Sequence, residues 1–253
     1  MKRYLELILY KALAELKAES ARTYLSFLWW VFEPVMNMAI FYVVFGLLYR
    51  RSEADFVPFL LIGLTVWNGF ANTIRHGAGA ILDNHPLMRQ TYLPKILFPL
   101  VVVVQDGVKF GIVFSLLLLF LWLYGFVVSS VYLALPAVLM VLLLLTLACT
   151  LMVAAIIPFV PDLRFVIESV LQLAFFVSGV FFSGGSIPVK YQGLFYWNPM
   201  AVVIESFRDI LMHGHWPNWL LLGRVGLLSL AVLMMAALLF HRWDRVYPKV
   251  VLR

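Results

Sequence analysis

The sequence predicts an all-α integral membrane protein with six transmembrane helices. Three observations carry that prediction. Of 253 residues, 64% are hydrophobic and 13% charged, against roughly 45–50% and about 25% in a soluble domain; mean hydropathy is +0.96. The apolar residues gather into six runs of spanning length. Lys and Arg then fall mostly on one side of the resulting topology. Disordered, collagen-like and disulfide-scaffold classes are excluded by the apolar content, 15 Gly and a single Cys. That residue, Cys149, lies in an apolar run and reads as a buried small hydrophobe.

Residues 1–26 form a separate amphipathic element. Leu5, Ile8, Leu9, Ala12, Leu13 and Leu16 recur at helical spacing, while Lys2, Glu6, Lys11, Glu15 and Glu19 fall largely elsewhere on the wheel. Such a helix lies in the membrane interface or packs, solvated, on a partner; the span that follows at once favours the interface. No cleavable signal peptide is expected, because this stretch is charged and lacks a continuous apolar core.

Residues 27–253 form the transmembrane domain. The spans are read at about 27–49, interrupted by Pro34; 56–74, opened by Pro58; 96–128, long enough to project beyond the bilayer; 131–157, with Pro136 near its start and Pro158 and Pro161 at its end; 165–182; and 219–240. Proline near helix starts and just past helix ends fits the capping asymmetry. With the N-terminus cytoplasmic, the inside segments hold Lys2, Arg3, Lys11, Lys17, Arg22, Arg75, Arg89, Lys95, Arg164, Arg242, Arg245, Lys249 and Arg253. The outside segments hold only Arg50, Arg51, Lys190 and Arg208. Both termini are therefore placed in the cytoplasm.

Two connections are more than turns. The inside link contains Asp83-Asn84-His85-Pro86-Leu87-Met88-Arg89-Gln90-Thr91. Asp83 and Asn84 suit a helix cap and Pro86 a first turn. Leu87, Met88 and Arg89 then sit on a short helix suited to docking in a groove of a soluble partner, against the alternative of an ordinary solvated loop. The outside link, 183–217, breaks at Gly184-Gly185 and again at Asn198-Pro199. It is apolar and aromatic yet too interrupted to span, which suggests re-entrant or interfacial half-helices.

No catalytic apparatus is visible. There is no phosphate-binding Gly-x-x-x-x-Gly-Lys-Ser/Thr loop, His-Glu-x-x-His, paired Cys motif or Gly-x-Ser-x-Gly. His213 and His215 lack further metal ligands nearby in sequence. Charges in or near spans are functional suspects: Glu33, Asp106, Lys109, Glu168, Glu205, Arg208, Asp209 and Arg224. Asp106 and Lys109 are spaced to pair locally, and Glu205, Arg208 and Asp209 to satisfy one another. The aromatics, including Trp29 and Trp30, read either as interfacial belts or as rings stacking on sugars. Tyr191, Phe195, Tyr196 and Trp197 on the broken outer link are the best stacking candidates. A secondary transporter would need repeats and a midplane charge site, and a membrane-embedded enzyme a larger polar cluster; neither is seen.

The order of these pieces resembles the permease subunit of ABC-2 type transporters, and more narrowly the polysaccharide-export permeases for O-antigen, capsule and teichoic acid. The residues carrying the resemblance are Leu28-Trp29-Trp30-Val31-Phe32-Glu33-Pro34, Tyr92-Leu93-Pro94-Lys95-Ile96-Leu97-Phe98-Pro99 and Pro161-Asp162-Leu163-Arg164. On the outer link they are Tyr196-Trp197-Asn198-Pro199-Met200 and Glu205-Ser206-Phe207-Arg208-Asp209. The resemblance implies a homodimer working with two copies of a separate ATPase, on which ATP and Mg would be held; this chain would carry no cofactor and bind no nucleic acid. The interface helix, with Asp83, His85, Pro86, Leu87, Met88 and Arg89, would couple to the ATPase. The outer half-helices would gate the periplasmic exit, with Trp29, Trp30, Glu33, Tyr191, Phe195, Tyr196, Trp197 and Asn198 at the channel or gate. A lipid-linked glycan would cross the inner membrane; a drug or small lipid is the alternative cargo.

Overall fold

A computed structural model describes residues 2–21, 28–41, 43, 55–85, 88 and 93–251. Among them the chain is helical, without a strand. In chain order the helices are α1 (Lys2–Ala21), α2 (Leu28–Phe41), α3 (Phe56–Asp83), α4 (Leu97–Tyr124), α5 (Leu135–Ile156, led in by a 3-10 turn Ser130–Ala134) and α6 (Leu163–Val177). They continue with α7 (Val189–Phe195), α8 (Pro199–Arg208), α9 (Trp219–Trp243) and α10 (Tyr247–Val251). Four stretches are long and apolar enough to cross a membrane: Phe56–Asp83, Leu97–Tyr124, Ser130–Ile156 and Trp219–Trp243. The first apolar run is described only over α2 and residue 43, so 27, 42 and 44–49 lie outside the described residues.

α3 is the central helix. Leu60, Ile62, Val66 and Ala71 are fully enclosed, and α3 packs against α4, α5, α6 and α8, while α5 runs along α9. Glycine and alanine at 63, 69, 71, 77 and 78 let neighbouring backbones approach α3 closely, the usual way helices associate where lipid offers no hydrophobic driving force. A second apolar cluster at the α1 end joins Ile81, Leu151, Ala154, Ala155, Ala236, Phe240 and Tyr247. There the Tyr247 hydroxyl donates to the Ala155 carbonyl at 3.1 Å.

Three expected boundaries are moved. α3 continues unbroken past 74 to Asp83. α4 closes at Tyr124, not near 128, because the Gly125 amide turns back to the Leu121 and Trp122 carbonyls. α6 stops at Val177, not near 182. Ser178 Oγ donates to the Ala174 carbonyl, and the carbonyls beyond it turn away from the helix to a side chain described below.

The apolar stripe of α1 lies along α4: Ile8 and Ala12 meet Leu97 and Val101. Polar contacts extend the match, Glu15 with Gln105 at 2.6 Å and Glu19 with Lys109 at 2.7 Å. Asp106 reaches His76 of α3 at 2.8 Å, so the Asp106 and Lys109 contacts run to other helices. Arg75 meets Glu168 of α6 at 2.9 Å. Residues 75 and 76 are adjacent, and 106 and 109 are one turn apart, so these pairs form one polar layer across α1, α3, α4 and α6.

Candidate functional site

Local sequence builds the segment between α6 and α9. Asn198 caps α8: its Oδ1 accepts from the Met200 amide at 3.0 Å, ahead of Pro199 in the first turn. Its Nδ2 donates to Ser178 Oγ at 3.0 Å, tying the cap to the end of α6. Asn198→Ala is expected to cost about 1 kcal/mol for the cap. A thermal melt of the solubilised protein would read this as a Tm lowered by about 2–4 °C.

α8 is enclosed. Met200, Ala201, Val202, Val203, Ile204, Ser206 and Phe207 are all buried, and Phe207 meets Phe114 of α4 edge-on at 5.6 Å. Arg208, at its last position, is 2% exposed. A buried guanidinium must place its five N–H groups, and here they go to main-chain carbonyls. Nη1 donates to Gly179 at 2.7 Å and Phe182 at 3.5 Å, Nη2 to Val180 at 2.8 Å and Phe59 at 3.1 Å, and Nε to Phe59 at 3.2 Å. The group also lies 3.3 Å from the centre of the Phe59 ring. Gly63 leaves the room it needs, since a Cβ there would stand 2.6 Å from Nη2.

Glu205, one turn earlier, accepts from the Gly184 amide and from the Tyr196 hydroxyl, the latter at 3.3 Å. Burial, with the Glu205 charge beside it, pushes the Tyr196 phenol up to about 12, so it stays a donor. Asp209 faces His213 at 3.6 Å. The expected mutual pairing of Glu205, Arg208 and Asp209 therefore gives way to separate partners: backbone carbonyls for Arg208, the Gly184 amide and Tyr196 hydroxyl for Glu205, and His213 for Asp209. The chain is unwound from 178 to 183 and then makes a 3-10 turn at Gly184–Ser186, so its amides and carbonyls need partners, and α8 supplies both a donor and an acceptor.

The aromatic candidates separate. Trp197 and Tyr191 are 68% and 52% exposed, while Phe195 is 6% exposed and its ring meets Phe182 at 5.7 Å. Arg224 of α9 donates to the Tyr196 carbonyl and lies 5.3 Å from the Trp197 ring. Trp29, Trp30 and Glu33 lie on α2, and their side chains are outside the described residues.

At the opposite end, Asp83 closes α3 with its carboxylate 3.5 Å from Arg164. Asn84 accepts from Lys11 of α1 at 2.6 Å and donates to the Ala80 carbonyl at 2.8 Å. His85 Nδ1 sits 3.0 Å from the Leu82 carbonyl. Met88 packs partly into the cluster around Ile81 and Phe240. Pro86, Leu87 and Arg89 lie outside the described residues. The Lys95 amide donates to Asp244 at 2.8 Å, so residues 84 and 95 are each tied to a terminal element. Sequence reasoning named Lys11 and Lys95 without these distant contacts, and missed Asp244. Their polar partners lie 73 and 149 residues away along the chain, and spacing carries no trace of such contacts. Among the described residues no group of three His, Cys, Asp or Glu is placed to hold a metal ion.

The O-antigen export system permease protein of Myxococcus xanthus is 27% identical over 229 residues, covering 90% of this chain and 88% of that one. An O-antigen export system permease protein of Klebsiella pneumoniae is 25% identical over 201 residues, 79% of this chain and 78% of its own. The polysialic acid transport protein KpsM of Escherichia coli is 26% identical over 235 residues, 90% of each. The family model for ABC-2 type transporters matches residues 12–212. That stretch runs from within α1 to beyond the end of α8, and the chain belongs to the ABC-2 type transporter family, as a multi-pass membrane protein.

Proposed function

We propose that this chain is the permease subunit of an ABC exporter that moves lipid-linked polysaccharide of O-antigen or capsule type across the inner membrane. The observation that carries the reading is alignment over 90% of the chain with permeases named for O-antigen export and polysialic acid transport. Two permease subunits enclose the path, and two copies of a separate ATPase bind and hydrolyse ATP with Mg. Six spans complete the topology, with α2 and its continuation as the first and α6 as the fifth, and both termini in the cytoplasm.

The polar layer at Arg75, His76, Asp106 and Lys109 supports a membrane boundary there. From Phe56 to Ile74, α3 rises about 28 Å, close to the roughly 30 Å hydrocarbon core. The turns beyond the layer then stand in the cytoplasm, where α1 and residues 83–91 receive the ATPase. At the other face α7 and α8 form the exit gate. Tyr191 and Trp197 line the path there, with Phe195, Tyr196 and Asn198 as the wall behind them, and Trp29, Trp30 and Glu33 belong to the channel on α2. The two exposed rings offer flat apolar faces at low entropic cost, which suits sugar rings.

Deleting the gene and quantifying lipid-linked glycan in inner-membrane and surface fractions tests the reading. Accumulation inside with loss of surface polymer is the expected result. Unchanged glycan in both fractions would overturn it and move the cargo to a drug or small lipid.

A further inference from the structure

From its hydrogen bonds we infer that Arg208 is a positioning residue that couples the exit gate to α3, so that motion imposed at the ATPase end of α3 is delivered to α8. The inference rests on the export reading above and adds the route by which force reaches the gate. α3 is an unbroken rod of 28 residues, about 42 Å long. One end, Asp83 and Asn84, adjoins the segment proposed to meet the ATPase and is held by Arg164 and Lys11. The other end presents the Phe59 carbonyl and ring, and both are occupied by the Arg208 guanidinium.

The same guanidinium holds Gly179 and Val180 at the end of α6. One planar group thus joins the gate helix α8 to two neighbouring helix ends. An ammonium cannot copy this. Lysine offers a point charge on a flexible stem, whereas the arginine fork donates in fixed directions from three nitrogens. Glu205 completes the attachment by holding the Gly184 amide. The gate helix therefore has no freedom to lag behind α3 while Arg208 is in place.

The test uses the full complex in cells lacking the chromosomal gene. Arg208→Lys is expected at wild-type abundance, copurifying with the ATPase and supporting ATP hydrolysis, with surface polymer reduced at least tenfold. A purely structural role would lower abundance and ATPase association along with export. Gly63→Ala is the second variant; it keeps the charge and crowds the end of the fork, together with the Val180 backbone that the fork holds, where a Cβ would stand 3.2 Å from the carbonyl oxygen, and the same split is expected. Wild-type export by either variant at normal abundance would overturn the inference, as would the absence of both from the membrane, which would assign the group to folding alone. Failure of the wild-type gene to restore surface polymer would instead overturn the export reading.

Discussion

Replacing Gly77 by leucine is expected to leave almost no folded protein in the membrane. Gly77 lies on α3 where α5 crosses it, and a Cβ there would stand 2.2 Å from Thr150 Cγ2. Thr150 is fully enclosed, so the methyl has no space to retreat into. Extra methylenes in a close-packed interior cost typically 1–3 kcal/mol, and leucine adds several at the central helix contact. The milder Gly77→Ala should lower Tm measurably, and Thr150→Ala should recover it in the double variant. The nearest remaining atom would then be Cβ of residue 150 at 3.5 Å, an ordinary contact. The Thr150 hydroxyl makes no hydrogen bond in the structure, so its removal costs none. Fluorescence-detected gel filtration and a thermal melt read both effects. A stable Gly77→Leu protein would sink this account of the α3–α5 contact.

The Leu87→Ala/Met88→Ala variant is expected to lose export by a factor of at least ten while remaining in the membrane, because ATPase attachment fails. Copurification of the ATPase and the surface polymer are the measurements, and normal export would count against docking through this segment. Met88 also packs partly against Ile81, Leu151 and Phe240. The single Met88→Ala variant separates the roles: a lowered Tm with export retained is the expected result for it alone.

The parts of this molecule written in short-range chemistry were legible in its sequence. Asn198-Pro199 announces the start of α8 and Pro136 the start of α5, whereas Gly184-Gly185, read as the break, lies in a 3-10 turn seven residues past the actual end of α6 at Val177. Helical spacing at Ile8, Ala12 and Leu16 gave the buried face of α1, although not the helix that it meets. What was not legible has two causes. Arg208 stands one residue from Asp209 and one turn from Glu205, so proximity suggested ion pairing. Its partners are carbonyls of Phe59, Gly179 and Val180, and a carbonyl has no side-chain signature. The end of α6 was misplaced for a different reason: Ser178-Gly179 is a local stop, with Gly179 in the left-handed region at φ +72°, and the apolar residues around it hid that signal; the distant arginine then takes up the carbonyls that the stop frees.

That unwound stretch bears on how the chain is made. As the proposed fifth span, α6 has 15 residues, about 22 Å of helix, against a hydrocarbon core of roughly 30 Å. The missing length is backbone whose carbonyls are satisfied by a residue 29 positions downstream of Gly179. While the ribosome has delivered α6 but not Arg208, those carbonyls have no protein donor, and hydrocarbon offers none. The segment must therefore wait at the translocon or in the headgroup region. It is committed to its final place only when α8 has been synthesised and folds back onto it.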